Sequence, residues 1–457
     1  MEPAPTADLI VAGGTVIAPS GSRHADVAIA NGRITAVADG LRADGARVID
    51  ARGLVVLPGV IDVHTHLRLP NNEHPHRFGR DTLAAARGGT TTVLTFNNPG
   101  TGISDAGAAS PLHGLEEFRD RTDGQSAIDY GLSAVLSGQQ RDPIRELPSL
   151  IEAGVPTFKA FMVYDFRLAD ADLEAAMRTA ARHGGMLQVH CEEPSIIDHL
   201  VSEALRANQT SCRHHALTRP RHAEAAATRK AIEMARRAEA PLYIVHLSCE
   251  EALDHVAEAK SRGEPVYAET CPHYLTLTDA LYADPDEGEV IKRVISPPLR
   301  TPEDVDALWG GLRDGVLDVV GSDHVPDRLD TEKALPAPPF PEISNGGPGI
   351  ETLLSVVHSA GVAARRITTE RMVEVLSSTP ARLFGLPTKG AIEVGRDADL
   401  VLLEPGAQRT IRQADLSHTS DYTPYEGMLV SGAIRGVLVR GRSPGDAPGR
   451  FMERHLG

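Results

Sequence analysis

The chain has 457 residues, with 46 Lys and Arg against 62 Asp and Glu, a formal net charge of −16. That length allows a large buried core and two to four domains, and the negative balance opposes long-range attraction to nucleic acid or anionic lipid. With 41% apolar and 24% charged residues, and 42 Gly and 32 Pro spread along the sequence, the composition is that of a turn-rich globular protein and excludes a largely disordered one.

Residues 1–16 lack a basic segment followed by an apolar one, and no run of about 18 apolar residues follows, so a cytoplasmic protein is expected. From 7 to 57 the chain shows short β-rich runs (9–11, 15–17, 27–29, 34–37, 48–49 and 54–57) broken by glycine turns. The stretch from 391 has the same texture at 399–403 and 434–438. Residues 1–57 and 391–457 are therefore expected to build one small β-sandwich domain, the latter including a tail.

Between them, 58–390, apolar strands alternate with helical segments. Candidate strands are 55–67, 90–97, 130–136, 155–163, 186–191, 242–247, 265–274 and 317–322, with helical stretches such as 170–183, 225–238 and 250–260. Ser248, three residues before Glu251, predicts a capping box, and Thr301 before Pro302 predicts an N-cap with proline in the first turn. Eight such units define an α/β protein of the (β/α)8 TIM-barrel class. An open doubly wound sheet would carry a glycine-rich loop after its first strand, and none follows Val63.

The first barrel strand ends Asp62-Val63-His64-Thr65-His66, and histidines two apart on a strand share a face. The fifth ends in His190, the sixth in His246, and the eighth in Asp323-His324. Four histidines and a carboxylate at the rim where barrels place their active sites predict a metal centre. Lys159 lies within the apolar run 157–162, where a buried ammonium tends to lose its proton. Beside two divalent cations, the neutral amine can take up carbon dioxide to form a bridging carbamate.

These motifs resemble the cyclic amidohydrolases: hydantoinases and dihydropyrimidinases, dihydroorotases and allantoinases. The resemblance runs from 54–66 through Asp397-Ala398-Asp399-Leu400 to Pro424-Tyr425-Glu426-Gly427. It implies that His64, His66 and Asp323 hold one metal, that His190 and His246 hold a second, and that carbamylated Lys159 bridges them. All six positions are filled, unlike those of metal-free scaffold relatives such as the collapsin response mediators. Tyr164, Ser296 in Ser296-Pro297-Pro298-Leu299-Arg300, and Asn345 in Asn345-Gly346-Gly347-Pro348-Gly349 match hydantoinase-branch residues that contact the cyclic amide. Arg68 and Asn97 instead resemble the residues with which dihydroorotases hold a substrate carboxylate.

The resemblance thus implies hydrolysis of a hydantoin or dihydropyrimidine-like ring to an N-carbamoyl amino acid by a metal-activated hydroxide. Tyr164 would stabilise the oxyanion and Asp323 would shuttle the proton. Activity on dihydroorotate or allantoin is the alternative, and a non-catalytic scaffold is the rival from another class. The cofactors implied are two divalent ions, zinc first, then manganese, cobalt or iron. The partners are a small-molecule substrate and further copies of the chain in a homodimer or homotetramer, with no nucleic acid or membrane.

Three features read more plainly. His74, His76, His214, His215 and His222 are expected to be solvated loop residues. The four cysteines, Cys191, Cys212, Cys249 and Cys271, are too few and too far apart for a disulfide framework and read as reduced packing thiols. Residues 327–341 read as a long loop over the barrel mouth, with room for a lid role.

Overall fold

The computed structural model describes residues 7–18, 21–98, 105–333 and 338–457, so Pro99 and the middle of the 327–341 loop lie outside the described residues. Five strands open the chain: β1 (Leu9–Ala18), β2 (Gly21–Ala30), β3 (Arg33–Ala38), β4 (Arg47–Asp50) and β5 (Val55–Pro58). Eight parallel strands follow: β6 (Val60–Thr65), β7 (Thr90–Phe96), β8 (Asp129–Val135), β9 (Thr157–Phe161), β10 (Met186–His190), β11 (Leu242–Ile244), β12 (Val266–Thr270) and β13 (Val319–Val320). They pair in chain order. A parallel bridge between Thr65 and His324 closes the ring, and His66 N–H donates to the His324 carbonyl at 2.8 Å. The chain then returns through β14 (Leu400–Thr410) and β15 (Leu429–Leu438) to the first sheet, whose order is β15-β14-β5-β1-β2-β3 with β4 also on β1.

The two runs 9–11 and 15–17 belong to one strand. Its register shifts between Val11 and Gly14, and such a bulge breaks the two-residue alternation that a sequence reading follows. The first half of β1 pairs with β4 and the second with β5, and side chains from both halves, Leu9 and Val11 with Val16, meet Val27, Leu400 and Leu402 in one apolar cluster. The predicted strand 55–67 is likewise two strands. Val55–Pro58 pairs with β14 in the satellite sheet, and β6 begins after Gly59. A side chain at 59 would stand 2.0 Å from the Thr91 hydroxyl, so only glycine lets the chain pass from one sheet to the other.

In the barrel, Val93, Leu132, Phe158, Leu187 and Ile244 join the large cluster that includes the helical residues Phe78, Phe118, Leu173 and Met177. Ile61, Val63, Leu94, Met186, Tyr243 and Val319 pack with Leu383 and Phe384. Strand residues of both sets are buried, as expected of a parallel sheet covered by helices.

Helix starts divide the predictions. Thr301 is the expected N-cap before Pro302, and with Asp304 it also forms a capping box. Ser248 caps nothing: the helix Glu250–Ser261 starts at Cys249 without a side-chain cap bond. Buried Glu224 takes both the Ser248 N–H (2.7 Å) and its hydroxyl, and this tertiary partner overrides the local one. The run 265–274 is also shorter than predicted, because Pro272 opens a helical turn, Pro272–Thr276.

After β15 the tail returns to the barrel. Phe451 bridges to Tyr130, and buried Arg454 donates to Thr157 Oγ1 (2.9 Å) and the carbonyls of Phe384 and Leu132. Asp129, Asp397 and Asp399 converge where the barrel meets the first sheet. The ammonium of Lys389, itself fully buried, fills their centre at 2.5, 3.2 and 2.7 Å. Replacing it by an apolar residue leaves three buried carboxylates short of their cation. Lys389→Met is therefore expected to lower unfolding stability by about 3–5 kcal/mol, read as a drop in urea midpoint.

Candidate active site

The rim of the barrel brings the predicted ligands together. His64 Nε2 and His66 Nε2 lie 3.0 and 3.2 Å from the same Asp323 Oδ1. A register slip between β6 and β7 from Asp62 to Thr65 accompanies this convergence. The His246 ring is 5.3 Å from His64 and 4.5 Å from His190, centroid to centroid. His246 and Asp323 adopt φ of +39° and +49°, and Tyr164 +77°. Three non-glycine residues in the left-handed region, all lining one cavity, mark conformations that the surrounding packing must hold in place.

Two of the predicted ligands, His64 and His190, are oriented from behind. Glu269, which is fully buried, accepts from His64 Nδ1, from the Tyr243 hydroxyl at 2.8 Å and from His246 N–H at 3.3 Å. Glu192 accepts from His190 Nε2 at 2.7 Å and from Arg219 at 2.5 Å, which leaves Nδ1 of His190 as the atom for a metal. Neither glutamate was assigned a role from sequence. Their signal was the same as that of Lys159, a charge within or just beyond an apolar strand.

Lys159 Nζ is fully buried with no hydrogen-bond partner and stands 4.8 and 5.1 Å from the ring centroids of Phe96 and Phe161. Burial brings its pKa down to about 8 despite Asp323 and Glu269. Nδ1 of His246 is also buried without a partner, and burial next to His190 and Lys159 keeps that ring neutral. The imidazoles of His66, His190 and His246, whose pKa values burial lowers, the Asp323 carboxylate held ionised beside His64 and His66, and an amine whose pKa burial brings down form a donor set that fits divalent metals.

Above this centre lies a cavity of about 270 Å³ whose walls include Tyr164, Ser296, Asn345, Arg68 and Asn98. Burial raises the pKa of the Tyr164 hydroxyl and keeps it protonated, with Arg219 stacked 5.2 Å from its ring. Asn345 Oδ1 is buried without a partner. Asn97 is not part of the wall. Its Oδ1 accepts from Val135 N–H at 3.2 Å and ties β7 to β8, whereas Asn98 lines the cavity and stands 3.3 Å from His66 Nδ1. Arg68 reaches the cavity already paired with Asp327.

His215 departs from the expected solvated loop. It is buried, with Nε2 3.0 Å from the Ile295 carbonyl and 3.1 Å from Ser296 Oγ, while His74, His76 and His222 are exposed. Burial raises the Cys191, Cys249 and Cys271 thiol pKa values well above the usual range, so these thiols stay protonated beside the site.

A barrel whose rim gathers four imidazoles, a carboxylate and a buried lysine beside one cavity has the make-up of a metal-dependent hydrolase. Residues 55–443 match the amidohydrolase family, and the chain belongs to it. It is 40% identical over 443 residues to the D-hydantoinase of Streptomyces coelicolor, covering 94% of this chain and 93% of that one. The solved D-hydantoinase of Bacillus sp. AR9 superposes with a TM-score of 0.92 at 36% identity, covering 98% and 99% of the two chains. The dihydropyrimidinase of Brevibacillus agri gives 0.91 at 38%, covering 98% of each.

Burial also sets how stability depends on pH. His215 and His418 are held neutral, with pKa values brought down to about 3 and about 4, burial being the main cause for each. Below the ordinary value of 6.5 the unfolded chain binds protons that the folded chain refuses, so stability falls as pH falls through this window. Each histidine is expected to remove about 1.5 kcal/mol between pH 6.5 and 5. Chemical denaturation at the two pH values should show His418→Gln less acid-sensitive than the parent by that amount.

Proposed function

We propose that this chain opens the ring of an uncharged cyclic amide, of the hydantoin or dihydropyrimidine type, to give an N-carbamoyl amino acid. The observation that carries the reading is one cavity bounded by the histidine–carboxylate–lysine centre on one side and by Tyr164, Ser296 and Asn345 on the other. The D-hydantoinase and dihydropyrimidinase names of its relatives support the ring type. The Arg68 guanidinium in that wall is already paired with Asp327, which favours an uncharged ring over one bearing a carboxylate.

His64, His66 and Asp323 would hold one divalent cation, His190 and His246 the second, and carbamylated Lys159 both. Imidazole and carboxylate donors suit zinc first, then manganese, cobalt or iron. When bound, such ions supply a water acidic enough to be a nucleophile at neutral pH and polarise the amide carbonyl. The neutral Lys159 amine attacks carbon dioxide, forming an N–C bond and releasing a proton, and the resulting carbamate would give the unpartnered side chain its ligands. Asp323 takes the proton of the attacking water and returns it to the ring nitrogen as the C–N bond breaks. Tyr164 donates its hydroxyl hydrogen bond to the carbonyl oxygen as charge collects there. Asn345 Oδ1 accepts from the ring N–H, and Ser296, held by His215, completes the amide contact. The family resemblance adds a homodimer or homotetramer, and among the described residues no helix is long and apolar enough to cross a membrane.

Hydrolysis rates on hydantoin, dihydrouracil, dihydroorotate and allantoin test this reading. One of the first two should be the best substrate, and dihydroorotate or allantoin in that place would overturn it. Lys159→Ala should bring metal content, measured on the purified protein, well below two ions per chain and reduce turnover at least about 10³-fold, with added short carboxylic acids restoring part of it. Full metal occupancy with near-normal turnover would remove the bridging role.

A further inference from the structure

Arg68 and Asp327 meet at the edge of the reaction cavity, and we infer that Asp327 selects against carboxylate-bearing rings by keeping the Arg68 guanidinium occupied. This rests on the functional reading above. Arg68 belongs to the cavity wall and Asp327 stands behind it, their side chains 11% and 2% exposed. Nη2 of Arg68 donates to Asp327 Oδ1, and the other carboxylate oxygen accepts from the Ser344 hydroxyl. Ser344 precedes Asn345, and its carbonyl takes a 2.9 Å bond from the fully buried Lys333, whose Nζ also donates to the Val294 carbonyl at 2.8 Å. Asp327 is thus fixed from two sides.

For an uncharged ring this wall is a neutral pair. Arg68 keeps a buried Nε–H without a partner. A ring carboxylate placed at the same wall would have to share one guanidinium with Asp327. Two anions on one cation in a poorly solvated pocket repel strongly. The discrimination therefore comes from a repulsive group rather than from a missing attractive one. Arg68 read alone suggests a carboxylate clamp, and Asp327 reverses its meaning.

Dihydrouracil and dihydroorotate differ by one ring carboxylate, so the ratio of their kcat/KM values isolates the charge. A change in the placement of Asn345 would move both substrates together. In the metal-loaded enzyme, Asp327→Asn keeps polar partners for Arg68 and Ser344 while removing the charge, and should raise the dihydroorotate-to-dihydrouracil ratio at least about tenfold. Adding Arg68→Met to that variant should cancel the gain. Asp327→Ser serves if the asparagine variant does not fold, and its gain should be suppressed by formate, which refills the vacated carboxylate position, more strongly for dihydroorotate than for dihydrouracil. A smaller rise in the folded variants, or a gain that survives Arg68→Met, overturns the inference. The parent is assayed first: failure on every uncharged ring, or a preference for dihydroorotate, refutes the functional reading and this inference with it. A parent active on dihydrouracil whose Asp327 variants gain nothing refutes this inference alone.

Discussion

The lysine buried in β9 sets the terms for everything at the mouth of the barrel. Lys159 Nζ has no hydrogen-bond partner, no solvent and two aromatic rings for neighbours. An ammonium in such a place is costly, and pure apolar packing would have been served better by leucine. Asp323 and Glu269 act against the loss of the proton, yet burial outweighs both. The amine is therefore poised for chemistry rather than for an ion pair. The partnerless Nδ1 of His246 makes the same point, since buried polar atoms left open in a cluster mark a centre completed by something other than protein.

Keeping so many polar groups in one buried rim requires a supporting layer, and three glutamates provide it. Glu269 behind His64 and Glu192 behind His190 take the ring proton on the far nitrogen, so each imidazole presents its other lone pair to the centre. Glu224 does not touch a ligand. It holds Ser248, two residues past His246, and pairs with Arg300, whose guanidinium also donates to the Arg219 carbonyl at 2.7 Å. Arg219 in turn pairs with Glu192 and stacks on Tyr164. The second half of the centre and the tyrosine therefore share one continuous buried network. The strained backbones of His246 and Tyr164 are held at its two ends.

Much of this was legible in the sequence because it was local. Apolar runs at βα spacing give the eight strands, and chemistry-bearing residues at their C-terminal ends give the ligands. What escaped depended on partners far along the chain. Ser248 has the right spacing for a capping box but meets Glu224. His215 sits in a polar stretch and gives no sign that the 295–296 segment will bury it. Asn97 follows a strand like a rim residue, yet the neighbouring β8 takes its carboxamide. The bulge at Val11–Gly14 and the passage at Gly59 were misread for a different reason: both interrupt the apolar pattern with backbone geometry, which leaves only glycines as a trace. The 443–457 tail has no periodicity to read, and its anchoring through Arg454 and Phe451 is visible only once the barrel bottom exists.

Substrate preference lies at the far end of this scale. The ligand set determines what kind of bond can be broken, and it comes from strand ends that any reading of the pattern would find. The wall that meets the rest of the ring comes from loops, and a fold alone never fixes what loops recognise. Arg68 leaves β6 and Asp327 follows β13, 259 residues apart in sequence. They become neighbours only because the first and last strands of the barrel close on each other through Thr65 and His324. A cation adjacent to a metal motif therefore has no meaning until the seam is formed. Read alone it suggests a carboxylate receptor, and in the closed barrel it is half of a neutral pair.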